Sequence, residues 1–262
     1  MISLANSNYK KIKDFFDSSK IEDSTRSIRR MFCDDNGNFS IFDTMKSLDT
    51  MVILFDDKDE PVTRYISFSK EEDRNYLVLS ANETIEEMRF NAACMLGEVL
   101  RKVEKSNKSF SPMITTKSKG FSREDKHFAC ALLMPRDKLL KFINRRDENG
   151  NFLYLDENNE ISFRNINAVA DYFGVPFSHC SSRIFHVFEA MRLEGKEPVY
   201  YIKGCHDKKT YKQMKKEYLL EDIEKDMKEV VPNHQQNRAN LISHLIDSLH
   251  YRSWGRLSEI AK

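Results

Sequence analysis

Cys94 and Glu98 stand four residues apart in the stretch Thr84–Lys105, TIEEMRFNAACMLGEVLRKVEK. On a helix that spacing puts both side chains on one face, and thiolate and carboxylate are both zinc ligands. His127 or Glu124, in the next segment, is the candidate third donor. The same residues offer a second chemistry, a thiol nucleophile with a histidine base, through Cys94 or Cys130 and His127. No spacing fixes such a pair. His179–Cys180 and Cys205–His206 are further Cys/His neighbours. Adjacent side chains rarely aim at one ion, and this spacing fits no zinc knuckle, so both pairs read as structural. For Cys94 and Glu98 the favoured reading is a small buried cysteine and a solvated glutamate, because a thiol packs like a small hydrophobe. His127 reads as a partly exposed helical residue.

These residues must be positioned by helices. Ile85, Met88, Ala92, Met95, Val99 and Val103 recur at helical spacing, and Thr84 with Glu87 three residues on forms a capping box. The apolar run Tyr76–Leu79 just before it reads as a strand. Met51–Phe55 and Val62–Phe68 read as two more strands, separated by the charged turn Asp56–Pro61. Upstream come a helix around Tyr9, Ile12 and Phe16, a second through Ile28 and Phe32, a turn at Asp34–Asn38, and a short helix between Phe39 and Leu48. Lys105–Gly120 is polar and reads as a loop. A helix from about Arg123 ends at or before Pro135, with Ser122 and Asp125 placed to cap its start.

The later half reads as helical. Ile166 to Phe173, a turn at Gly174–Val175–Pro176, and Phe177 to His186 have the shape of a helix-turn-helix. Two amphipathic helices follow, Lys208–Val231, ended by Pro232, and Asn237–Tyr251. No internal repeat stands out. The expected fold is α+β, a small three-stranded sheet packed by two helices and followed by a helical half. The expected segments are 1–40 (helical), 41–145 (sheet and its helices), 146–197 (helix-turn-helix-like) and 198–262 (amphipathic helices).

Composition narrows the function classes. With 40% hydrophobic and 32% charged residues in 262, plus 18 Phe and ten Tyr, the chain can bury a sizeable core. No apolar run is long enough to span a bilayer, and no signal-peptide pattern opens the sequence, so the expectation is a cytoplasmic protein without a membrane partner. Five cysteines without C-x-x-C spacing point to reduced thiols. Forty-two basic against 41 acidic residues leave a formal net charge of +1, giving no overall drive toward nucleic acid. The cluster Lys208, Lys209, Lys212, Lys215 and Lys216 reads as a solvated face.

Three pieces in order resemble the ImmA/IrrE family of metallopeptidases over roughly Ser40–Arg192. Arg89–Phe90 with Leu96–Gly97 is similar to R-F-x-x-A-H-E-L-G-H. Phe128–Ala129 with Leu132–Leu133–Met134–Pro135 is similar to F-A-A-x-L-L-M-P, and Tyr172–Val175 with Arg183 matches the helix-turn-helix-like part. The resemblance implies a zincin-like fold, in which two histidines and a glutamate hold zinc and the Glu of H-E-x-x-H is the general base. Carried over by position, the first His is Cys94, the base is Met95, the second His is Glu98, and the third ligand is Ser122. All four depart from the pattern. A thioether takes no proton from a zinc-bound water, and a serine hydroxyl is a poor zinc ligand at neutral pH.

The expectation is therefore a degenerate site with no catalytic residue and no required cofactor, in a regulator that binds a protein partner. Family members act on helix-turn-helix repressors of phages and mobile elements, which makes such a repressor the expected partner and antirepression the expected role. Two alternatives remain at this point. One is a metal-dependent endopeptidase with non-standard ligands, zinc on Cys94 and Glu98 with His127. The other is a DNA-binding regulator using Val169–His186, disfavoured by a second helix with only Arg183 as a strong phosphate donor.

Overall fold

The computed structural model describes residues 12, 14–35, 37–55, 65–69, 74–105, 120–219 and 234–249. The expected helix around Tyr9, the Asp56–Pro61 turn, most of the Lys105–Gly120 loop, Leu220–Pro232 and Tyr251 lie outside the described residues. The fold is α+β, and the chain divides into two packing units, Met1–Leu133 with Ala239–Lys262, and Met134–Arg238.

In the first unit, helices α1 (Ile21–Phe32) and α2 (Ile41–Ser47) precede strands β1 (Thr50–Phe55), β2 (Tyr65–Ser69) and β3 (Arg74–Ser80). The sheet order is β1-β3-β2, with β3 parallel to β1 and antiparallel to β2. The central position explains the sequence of β3, whose residues from Asn75 to Ser80 are all buried, so its apolar run is continuous. β1 alternates buried and half-buried residues as an outer strand does. Helix α3 (Ile85–Lys105) follows β3 directly. Its start is the reciprocal cap the sequence predicts: Glu87 N–H donates to Thr84 Oγ1 at 3.2 Å, and Thr84 N–H donates to Glu87 Oε2 at 3.0 Å.

From Met88 to Gly97 every residue of α3 is buried, so the helix runs through the core rather than along its surface. Helix α4 (Arg123–Leu133) packs against it, and Phe16 meets Phe128 edge-on at 5.7 Å between ring centroids. The last turn of α4 leaves carbonyls without helical partners. The buried Arg29 of α1 donates from Nη1 to the Leu132 carbonyl at 2.8 Å and places its guanidinium 4.7 Å from the Phe39 ring.

The second unit contains α5 (Arg136–Ile143), β4 (Glu160–Ile161), α6 (Phe163–Phe173), α7 (Phe177–Leu193), β5 (Tyr201–Ile202) and α8 (Lys208–Tyr218). The sequence expectations include neither α5 nor the two-residue parallel pair β4–β5. A last helix, α9 (His234–Ser248), contributes its residues from Ala239 on to the first unit. There Lys46 Nζ donates to the Asp247 carbonyl at 3.3 Å, and Leu249 pairs beside Val52 of β1.

One short unit recurs three times, at Asp34, Asp147 and Asp156, although the sequence shows no repeat at domain scale. In each, the aspartate N–H donates to the carbonyl four residues on, and that residue's N–H donates back to Oδ1 at 2.7–3.0 Å. The residue three after the aspartate has positive φ, at Gly37 (75°), Gly150 (84°) and Asn159 (58°). Glycine and asparagine are the residues that tolerate that backbone, which explains the shared D-x-N-G/N wording. Two copies lead through a serine N-cap into a helix: Ser40 accepts from Asp43 N–H, and Ser162 accepts from Asn165 N–H.

Candidate functional site

Two segments of the first unit meet at Gly97. A Cβ built there would lie 2.6 Å from Phe128 Cδ1 and 2.9 Å from Phe128 Cγ. Only glycine lets α4 approach α3 this closely, so Leu96–Gly97 and Phe128–Ala129 are the two faces of one contact. The residues that would carry chemistry lie around that contact.

Cys94 is 0% and Met95 2% exposed, both within the core segment of α3. Glu98 is the first residue of this stretch to leave the core, and its carboxylate pairs with Lys102 Nζ at 2.5 Å, one turn on. Ser122 is the N-cap of α4. Its Oγ accepts from Asp125 N–H at 3.1 Å and donates to Asp125 Oδ2 at 2.6 Å, and its own N–H donates to Asp125 Oδ2 at 3.3 Å. Asp125 is only 3% exposed. Arg101 of α3 closes the arrangement with a two-pronged pair to Asp125, Nε at 3.1 Å and Nη2 at 2.9 Å, and Nη2 lies 3.5 Å from Ser122 Oγ. His127 is 52% exposed and turns to Glu22 of α1, its Nε2 3.9 Å from Oε1.

The structure thus brings Ser122, Asp125 and Arg101 together, and Glu98 with Lys102. His127 is engaged elsewhere. Cys130 is buried in α4, and all five cysteines are thiols rather than disulfides. Among the described residues no three His, Cys, Asp or Glu side chains converge as a metal cage would require. The donor set does not fit the zinc that the family resemblance implies: one carboxylate is held by Lys102, the serine hydroxyl caps a helix, and an arginine lies against the third-ligand position. Glu124, the other candidate third donor, has its carboxyl held below the ordinary range, chiefly by its own backbone N–H and by Ser122.

Sequence reasoning missed Arg101 and Lys102. The signal was present, since Lys102 lies four residues after Glu98, the favourable orientation for a helical ion pair. The Arg101–Asp125 pair crosses between helices and leaves no local pattern.

In the second unit the helix-turn-helix shape is present. Gly174 takes the left-handed conformation at φ 57°, and Val175 N–H donates to the Ala170 carbonyl at 3.0 Å, ending α6. Arg183 is buried and donates from Nε to the Met134 carbonyl at 3.1 Å. Helix α8 lies on the first turns of α7: Lys215 Nζ bonds to the Ser178 carbonyl at 2.5 Å and to Ser182 Oγ at 2.9 Å. The Tyr211 ring stacks on Phe185 at 4.4 Å, and Tyr218 packs on Phe163 and Phe177. Tyr218 Oη also meets Asn167 Nδ2 at 2.7 Å. Cys180 and Cys205 are buried thiols, Cys205 Sγ 3.5 Å from Met214 Sδ, and neither joins a ligand cluster with His179 or His206 among the described residues.

A strand running into a buried helix, with a second helix locked onto it through glycine and phenylalanine, is the frame of a zincin-like peptidase domain. The model of the IrrE N-terminal-like domain matches residues 46–184, more than half of the chain, which therefore belongs to that peptidase family. No curated protein matches it. Among the described residues no helix is long and apolar enough to cross a membrane.

Proposed function

We propose that this chain is a non-catalytic member of its family, a regulator that works by binding a protein partner. One observation carries the reading: the positions of the first His and the general base are packed into the core as Cys94 and Met95, while Ser122, at the position of the third ligand, is bonded to Asp125 and Arg101. Hydrolysis needs an open metal coordination site and a base that can take a proton from bound water. A buried thiol, a thioether, a lysine-bound carboxylate and a capping serine supply neither. The packing letters of the motifs remain in the core, so the frame of the domain is kept while its ligand and base positions are replaced.

The partner we propose, from the resemblance to a family that acts on such proteins, is a helix-turn-helix repressor, bound and held off its operator without cleavage. The test combines two measurements on protein purified without chelator or nickel. Elemental analysis is expected to give far less than one zinc per chain. Added to a complex of its operator with a repressor encoded beside this gene, the protein is expected to free the DNA while the repressor stays intact on a denaturing gel. Near-stoichiometric zinc or a cleaved repressor would revive the endopeptidase with non-standard ligands. A repressor that stays both intact and on its operator would remove the antirepressor role.

A further inference from the structure

We propose that Arg101 stands in for the metal, holding α3 and α4 together at the point where the family's ligands would join them through an ion. The proposal rests on the non-catalytic reading above. The carried-over ligand positions lie on both helices, Cys94 and Glu98 on α3 and Ser122 at the start of α4. A zinc ion there is a cationic cross-link as well as a catalyst. With the ligands replaced, the two helices lose that link, and the buried Asp125 carboxylate at the start of α4 takes a cation from α3 instead.

Arg101 has the position and the geometry. It lies seven residues after Cys94 and three after Glu98, on the same face of α3. Its guanidinium reaches across to α4, takes both oxygens of Asp125 at 3.1 and 2.9 Å, and touches Ser122 Oγ at 3.5 Å. Asp125 cannot swing away, because its Oδ2 also receives the Ser122 hydroxyl and backbone N–H. The cross-link is therefore fixed to the first turn of α4. Charge is balanced within the cluster, Arg101 with Asp125 and Lys102 with Glu98. A planar fork is required for the two-pronged contact, so lysine at position 101 would keep the charge and lose the link.

Two experiments test this on the full chain. The first restores the family's ligands through Cys94→His, Glu98→His and Ser122→Glu, and measures zinc affinity by equilibrium dialysis with Arg101 retained and with Arg101→Met added. The expected result is at least tenfold tighter zinc binding once Arg101 is gone, because the guanidinium no longer occupies and repels the site. Equal affinity in the two backgrounds, or binding in neither, overturns the proposal. The second experiment needs no restored site. Melting temperatures are compared for the unaltered chain, Arg101→Met, Asp125→Asn and the double variant. Breaking one side of a pair this little exposed is expected to lower Tm by roughly 5–15 °C, with the double variant no lower than the worse single one. Arg101→Lys should fall close to Arg101→Met. Additive losses mean that no cross-link exists. Zinc in the unaltered chain overturns both the non-catalytic reading and the stand-in role, whereas a zinc-free chain with additive losses overturns the stand-in role alone.

Discussion

Gly97 separates what the motif does for packing from what it does for chemistry. Its missing side chain leaves room for the Phe128 ring, and that ring is buried and meets Phe16 edge-on. A methyl at 2.6 Å from Cδ1 forces ring or helix to move. Overpacking of this kind costs about 1–3 kcal/mol, partly offset by alanine's better helix propensity of about 1 kcal/mol. Gly97→Ala should therefore lose up to about 2 kcal/mol in urea unfolding, and Phe128→Leu in the same chain should return part of it. A midpoint raised by alanine's full helix-propensity gain of about 1 kcal/mol would mean that α3 and α4 are not in the close contact described. Arg101 is the complementary case, a residue outside the motif that bridges α3 to Asp125 of α4 and that we propose stands in for the metal. Both arguments concern the same pair of helices, and neither needs a reaction to explain why the residues are there.

At the scale of elements, α8 determines what the helix-turn-helix shape can do. It lies against Ser178, Ser182 and Phe185 of α7, with Cys205 and Tyr211 buried. Burial pushes the Cys205 thiol up to about 11, with Asp207 and Glu160 adding to the effect, and burial also raises Tyr211. Each group holds its proton in the folded state at a pH where the unfolded chain has lost it. The Cys205 contribution is complete below about pH 9 and is lost as pH rises toward 11, and that of Tyr211 is complete below about pH 10 and is lost above it. Urea midpoints should fall across that window, and Cys205→Ala should flatten the fall, leaving the part due to Tyr211. An identical slope in the variant would show that the thiol titrates as it does in the unfolded chain. The sequence made the helices legible where a cap or a left-handed glycine marks an end, as at Thr84, Ser122 and Gly174. It left α5 and β4–β5 unread because the helix starts behind Pro135 without a side-chain cap and the strands are two residues long. The recurring aspartate turn was hidden for a different reason. Only three of its positions are constrained, an acceptor aspartate, a positive-φ residue and a donor N–H that any residue but proline supplies.

For the whole molecule, the packing letters of the site were readable and its replacement was not. Phe128, Leu96 and Gly97 fall in a motif order, whereas the link from Arg101 to Asp125 spans 24 residues and exists only once α3 and α4 are packed. The same distinction governs the last question, whether the chain reads DNA through its second unit. Its 42 basic and 41 acidic residues give a net charge of only +1. Arg183, the one strong phosphate donor in the Phe177–Arg183 turns of α7, is spent on the Met134 carbonyl, and Lys215 is spent on Ser178 and Ser182. Each phosphate neutralised contributes about 0.9 to the slope of log affinity against log salt. Fluorescence anisotropy on duplex DNA should show binding no tighter than about 10 µM at physiological salt, with a slope worth only a few phosphates, the range of non-specific contact. Arg183→Gln should cost the fold a buried hydrogen bond and leave that weak binding unchanged. A slope worth six or more phosphates, reduced by the Arg183 change, would mean that α8 leaves α7 in solution and that the second unit is a DNA reader after all.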